Sequence, residues 1–282
     1  GLTGPTTMGL IKVVDSEKYT FTLAGAADEV TPKLIQGELD MAAIPANLAS
    51  VLYNNTQGKI RVLAVNTLGV LYITEKGDTV TDVASLKGKT IYATGKGSTP
   101  EYTLKHILKE NGIDPENDVT IEFKSEPAEI VALLENAEGG VAMLPQPYVT
   151  AAMSKVEGLH IVLNLSEEWD KLGSDSKLIT GVLVGRSDFI DANPEAVETF
   201  LNEYKESVDW VVNNTEEASE LIDKYGIVKA AIAKKALPMC NITFISGEEM
   251  KTNLSGYLNV LFEANPKAVG GSLPGDDFYY GN

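Results

Sequence analysis

The sequence predicts an α/β protein of two lobes, one interrupted by the insertion of the other. Three observations carry this expectation. The chain has 282 residues, more than a single compact core usually fills. Short β-rich runs alternate with amphipathic helical stretches, the pattern of βαβ units and helix-covered sheets. That alternation changes character at Thr67-Leu68-Gly69, and an apolar strand at 178–184 leads back to the first lobe. The lobes are therefore expected at 1–67 plus 181–282, and at 68–180. Two crossings of this kind form a hinge, and the cleft beside a hinge is where ligands sit.

The elements follow in order. Met8, Leu10, Ile11 and Val14 fall at helical spacing after Thr6, and the β-branched and aromatic residues of 19–23 predict a strand. A helix is expected over 28–39, a buried strand over 41–44, a helix over 46–53 and a strand over 61–66. The second lobe is expected to bring strands at 70–74, 90–93, 119–123, 141–144 and 160–163. Its helices are expected after Ser98 to about Asn111, where Gly112 ends the run, then over 128–136 and 147–155. From Asn193 onward the pattern is almost wholly helical, over 194–213, 215–225, 229–237 and 248–264. There is no internal repeat and no low-complexity linker.

Composition narrows the possible functions. The chain carries 23 basic and 40 acidic residues, a formal charge of −17. That balance argues against a nucleic-acid partner, whose phosphates require Lys and Arg, and favours a self-repelling soluble surface. No apolar run approaches the ~20 residues that span a bilayer. Cys240 is the single cysteine, so there is no internal disulfide, and its setting between Met239 and Asn241 reads as a small buried hydrophobe. With only His106 and His160 besides, neither a metal site nor a cofactor is expected. The opening Gly1-Leu2-Thr3-Gly4 reads as the tail of a first strand, with upstream residues expected to have been removed by processing or left out of this sequence.

Four stretches offer polar groups where ligands gather. Gly4-Pro5-Thr6-Thr7 begins a helix, where unpaired N–H groups and hydroxyls attract a polar or anionic group, although taken alone an ordinary Thr N-cap is the simpler account. Gly95-Lys96-Gly97-Ser98-Thr99-Pro100-Glu101 follows a strand and opens a helix. Ser98 and Glu101 have capping-box spacing, yet two glycines also permit close approach of a ligand to the backbone. It lacks the Gly-Lys-Ser/Thr ending of a phosphate-binding P-loop. Leu144-Pro145-Gln146-Pro147-Tyr148 is a rigid strand tip whose Gln146 and Tyr148 sit at a strand's C-terminal end, where ligands collect in α/β sheets. Ile44-Pro45-Ala46-Asn47 is its counterpart in the first lobe. Asn47 reads as a ligand residue or an N-cap, and Tyr148 as a ligand residue or core. The acidic run Glu167-Glu168-Trp169-Asp170 reads as a solvated face. No Ser/His/Asp or Cys/His arrangement is suggested, which argues against an enzyme.

Taken together, Gly4-Pro5-Thr6, Gly37-Glu38-Leu39-Asp40-Met41-Ala42, Leu86-Lys87-Gly88-Lys89-Thr90-Ile91, Gly97-Ser98-Thr99 and Leu144-Pro145-Gln146-Pro147 make the chain resemble a known family. It is similar over essentially its whole length to the type II periplasmic binding proteins of the NMT1/THI5-like, nitrate/sulfonate/taurine-binding group. The resemblance implies two Rossmann-like lobes joined by a two-segment hinge. It also implies a solute-binding component of an ABC importer, with a small molecule and a membrane permease as partners, monomeric and without turnover. Ligand contacts carried over by resemblance are Thr6, Thr7, Asn47, Thr67, Ser98, Thr99, Gln146 and Tyr148. Members are lipid-anchored at the outer face of the membrane in Gram-positive bacteria or free in the Gram-negative periplasm. Many relatives have Glu-Pro where this chain has Gln146-Pro147, which disfavours a cationic ligand and leaves a small anion or polar organic molecule. A thiamine-precursor pyrimidine is the alternative ligand. An enzyme of the menaquinone or pyrimidine pathways on the same fold is the alternative function, but the cysteine-rich iron motif and sacrificial histidine of the pyrimidine-forming relatives are not visible here. A sensory or adhesive domain is a third reading.

Overall fold

The structure, a computed structural model, describes residues 1–281. Its first stretch runs α1 (Pro5–Met8), α2 (Ile11–Asp15), α3 (Ala27–Gln36), β1 (Met41–Pro45), α4 (Ala46–Thr56) and β2 (Ile60–Leu68). The middle contains β3 (Leu71–Lys76), β4 (Thr90–Ala93), α5 (Thr99–Glu110), β5 (Thr120–Phe123), α6 (Pro127–Asn136), β6 (Gly140–Pro145), α7 (Tyr148–Met153), β7 (Leu159–Asn164) and α8 (Leu165–Asp170). The last stretch contains β8 (Ile179–Arg186), α9 (Ser187–Ala192), α10 (Pro194–Asn213), α11 (Thr215–Lys224), α12 (Ala230–Ala236), β9 (Ile242–Ile245) and α13 (Gly247–Ala264). The chain divides into two compact units, Gly1–Leu68 with Ile179–Asn282, and Gly69–Leu178.

The first unit is built on a four-stranded sheet in the order β1-β8-β2-β9, with every neighbouring pair antiparallel. Strand β8 comes from the far side of the second unit in sequence and lies between β1 and β2, pairing with both. Residues 42–44 of β1 and 62–65 of β2 are apolar and buried. Leu63 and Leu183 pack into a buried cluster with Met8, Ile11, Tyr204 and Ile242. Cys240 lies fully buried in the same cluster as the small hydrophobe its sequence context suggests, and burial pushes its thiol pKa up to about 12.

The second unit holds a five-stranded sheet in the order β5-β4-β6-β3-β7. Strand β4 runs parallel to β5 and β6, whereas β3 is antiparallel to β6 and β7. Helix starts and stops follow local chemistry. Pro100, Pro127 and Pro194 sit in the first turns of α5, α6 and α10, where a missing N–H costs nothing. Gly37 closes α3 with φ 82°, a left-handed conformation that suits glycine.

Three expectations need correction. Residues 19–23 form no strand; an isolated bridge joins Leu2 to Ala24, and Tyr19, Phe21 and Leu23 instead lie against the buried cluster. Their alternation reflects core packing without a strand partner. Strand β9 was not expected between two helical regions, yet two of its four residues, Ile245 and Ile242, pair with Val65 and Thr67 of β2. The acidic run 167–170 belongs to helix α8 and is not simply a solvated face. Trp169 is fully buried, its indole N–H donating to the Ser176 hydroxyl at 3.1 Å and its ring 4.8 Å from that of His106. Glu168 is largely buried too, paired with Lys171 at 2.7 Å.

Candidate functional site

In the first unit the expected residues gather where β1 and β2 end and β8 begins. Gly181 of β8 lies opposite Pro45 on one side and Thr67 on the other. A side chain at Gly181 would collide with the methyl of Thr6. Thr6, Thr67 and the start of α4, which holds Asn47, therefore meet around one backbone position. Much of their polar capacity is used internally. The Thr7 hydroxyl is buried and donates to the Leu2 carbonyl at 2.7 Å, and Thr6 reaches the same oxygen at 3.4 Å. Thr67 donates to Asn66 Oδ1 at 3.0 Å. Asn47 is the second residue of α4 and does not cap it; its amide donates to the Ala268 carbonyl at 3.2 Å. Neither Thr6 nor Thr7 caps α1, whose N-cap position is Gly4 at φ 136°.

The second unit presents the other four. Strands β4 and β6 are parallel neighbours, with Ile91 opposite Val141 and Tyr92 opposite Ala142. The turn holding Ser98 and Thr99 follows β4, and Gln146 and Tyr148 follow β6, so both groups sit beyond the same C-terminal edge of the sheet, the edge where α/β folds bind ligands. Ser98 holds the N-cap position of α5, but its side chain makes no capping bond. Its hydroxyl donates to the Gly95 carbonyl at 2.6 Å, and its N–H reaches the same oxygen at 3.1 Å. Thr99 opens the helix proper.

Glu101 does half of what the capping-box spacing suggested, one residue earlier than expected: its carboxylate accepts the Gly97 N–H at 2.6 Å. Burial pushes the pKa of this carboxyl up, but the Gly97 N–H and Lys105, 2.8 Å away, outweigh that and hold it below the usual glutamate value. Gly95 and Gly97 adopt φ of 79° and 73°, so the turn needs both glycines. The Gln146 side chain is buried and accepts from the Thr150 hydroxyl at 2.9 Å and the Thr150 N–H at 3.3 Å. Tyr148, by contrast, is 52% exposed, so it is not a core residue. The residue missed outright by the sequence reading is Asn66; Glu101 was read only as half of a capping box and Gly181 only as a lobe boundary. The first was signalled by a polar pair, Asn66-Thr67, ending an otherwise apolar strand.

Among the described residues, no three metal-ligating side chains are grouped to hold an ion, and no helix is long and apolar enough to cross a membrane. The model of the NMT1-like family matches residues 17–224, most of the chain. The protein belongs to the NMT1-like family.

The fold of this NMT1-like protein is that of the type II periplasmic binding proteins, the two-lobed α/β class read from the sequence. It is similar to an ABC transporter protein from Parabacteroides distasonis, with 23% identity, a TM-score of 0.83, and coverage of 99% of this chain and 96% of that one. It is also similar to the periplasmic aliphatic sulphonate binding protein SsuA of Escherichia coli, at 17% identity and a TM-score of 0.73, covering 96% of this chain and 88% of that one. A third relative is the ligand-binding component of an ABC-type import system from Staphylococcus aureus, solved with zinc bound. It shows 14% identity and a TM-score of 0.69 over 100% of this chain and 97% of that one. A comparison with curated proteins found no match.

Proposed function

We propose that this NMT1-like protein is the extracytoplasmic solute-binding component of an ABC importer, capturing a small anionic or polar organic molecule and performing no chemistry on it. The observation that carries this reading is the end-to-end likeness to a binding component of an import system, spanning 100% of this chain and 97% of that one. Relatives named for sulphonate binding support the ligand class. In this reading the ligand lies between the two lobes, met by Thr6, Thr7, Asn47 and Thr67 from one and by Ser98, Thr99, Gln146 and Tyr148 from the other. The lobes 1–67 plus 181–282 and 68–180 close about crossings near Thr67 and Gly181. A ligand that touches both lobes binds the closed form better and shifts the population toward it; the closed form, as a monomer, then engages the permease. The protein acts outside the cytoplasm, either lipid-anchored or free in a periplasm.

Three features favour a small anion or zwitterion. Helix α5 starts at Thr99 with its N-terminus beyond the sheet edge, and such a terminus favours negative charge by ~0.3–1 kcal/mol when exposed. Gln146 contributes no charge to repel an anion. Exposed Tyr148 offers an aromatic face to the organic part of the molecule. A thermal-shift screen of methanesulfonate, taurine, nitrate, small carboxylates and pyrimidine metabolites tests the reading. At least one compound should raise the melting temperature and be recovered unchanged after incubation; conversion of a hit by the purified protein would sink it. A hit confined to the pyrimidines would favour the thiamine-precursor alternative.

A further inference from the structure

We propose that Asn66 couples the Thr6–Thr7 segment to the two strands on which the chain leaves and re-enters the first unit. Asn66 is 1% exposed and sits near the end of β2. Its Nδ2 donates to the Thr6 carbonyl at 3.2 Å while its Oδ1 accepts from Thr67 at 3.0 Å. One buried side chain thus ties the backbone of α1 to the residue that faces Gly181 of β8.

The strand ladder at this place is irregular. The pairing of β2 with β8 shifts register between Val65 and Thr67 and again between Thr67 and Leu68, and such bulges interrupt the ladder and bend the strand. Regular backbone pairing therefore does not stiffen the last residues of β2, and the amide of Asn66 supplies a fixed point instead. The packing on the other side is equally specific. A Cβ at Gly181 would overlap the Thr6 methyl and lie 2.7 Å from Asn66 Oδ1, so Thr6 occupies the space that β8 leaves open. A displacement of Thr6 must then either break the bond from Asn66 or move the ends of both strands, since a buried amide that loses a partner is costly. Any molecule that holds Thr6 or Thr7 in place would thereby hold the two crossing strands. The value of this coupling for binding rests on the function proposed above; the coupling itself does not, and its test needs no ligand.

The test is amide hydrogen exchange on the intact chain. Thr6→Ser removes the methyl packed at Gly181. It should speed exchange by about tenfold at the Leu68 amide and along residues 180–183, with residues 90–93 of β4 unchanged. The Leu68 amide donates to the Asn241 carbonyl at 3.0 Å, so its protection is measurable. Asn66→Ala should produce the same acceleration, and adding Thr6→Ser to it should add less than about twofold, because two changes on one pathway are not additive. Gly181→Ala pushes on Thr6 from the strand side and should speed exchange at Thr7 and Met8, whose amides bond to Gly4 at 3.1 and 3.3 Å. Should Asn66→Ala not fold, Asn66→Asp, which keeps the acceptor for Thr67 and loses the donor to the Thr6 carbonyl, must give the same acceleration, and its failure to do so overturns the proposal. Acceleration confined to residues 5–10 in Thr6→Ser, or to β8 in Gly181→Ala, overturns the proposal. Coupling without any binder in the ligand screen would leave this inference standing and remove the importer reading.

Discussion

At the scale of single residues, the structure separates Ser98 from Thr99, which are adjacent in sequence and alike in chemistry. The Ser98 hydroxyl and N–H are both turned back onto Gly95, so Ser98 shapes the turn. Thr99 stands at the first position of α5, where the N–H groups of a helix lack intrahelical partners. Replacing each by alanine should therefore give different results when affinity is measured by calorimetry with a compound found in the screen. Thr99→Ala should weaken binding by ~1–3 kcal/mol, the cost of leaving a buried polar group unsatisfied, with little change in melting temperature. Ser98→Ala should lower the melting temperature more than the affinity. Equal affinity in both variants and the parent would make this turn a helix start and nothing more. None of this division was readable from the sequence, because capping-box spacing is the same whether the carboxylate bonds to the cap residue or, as here, to Gly97 one position earlier.

At the scale of elements, buried polar groups decide what holds. Glu75 at the end of β3 is 3% exposed and accepts the N–H of Thr79 at 3.0 Å, the N–H of Val80 at 2.8 Å and the Thr79 hydroxyl. Burial pushes its pKa up, but these donors, with Lys89 nearby, outweigh burial and hold it below the ordinary value of 4.5. A depressed folded-state pKa means stability that is present above 4.5 and is lost as pH falls through the lower folded value. Glu75→Ala should thus cost ~1–3 kcal/mol in urea denaturation at neutral pH, since it orphans the Thr79 and Val80 amides. The gap to the parent should narrow in acid, and a gap that stays constant would mean the charge of Glu75 contributes nothing.

The elements that sequence patterns reveal are those set off by clear local signals, such as α10 and β4, which match expectation at both ends. The failures share a cause. Strand β9, as short as β4, lies between helical runs and owes its existence to a partner, β2, far away in sequence. Tyr19, Phe21 and Leu23 alternate as strand residues do, but what they meet is a buried cluster drawn from helices and from the four-stranded sheet. Trp169 was masked by the acids around it. Each depends on tertiary neighbours that periodicity does not encode.

For the whole molecule, the expected consequence of binding is compaction. A compound from the screen should reduce the radius of gyration measured by X-ray scattering, because the proposed ligand bridges two units. An unchanged curve at saturation would place binding within one unit or in a form already closed. The strand order β1-β8-β2-β9 has a further implication, for the birth of the protein. On a ribosome the strands β1 and β2 emerge long before β8, the strand that both of them pair with. Residues 69–178 carry a complete sheet of their own, so the inserted unit can finish folding while the first 68 residues wait with unpaired strand edges, an aggregation hazard. The later-synthesised half of the discontinuous unit therefore supplies the strand that the earlier half lacks, and an inserted unit that folded first would bring residues 68 and 179, partners in the ladder, near each other.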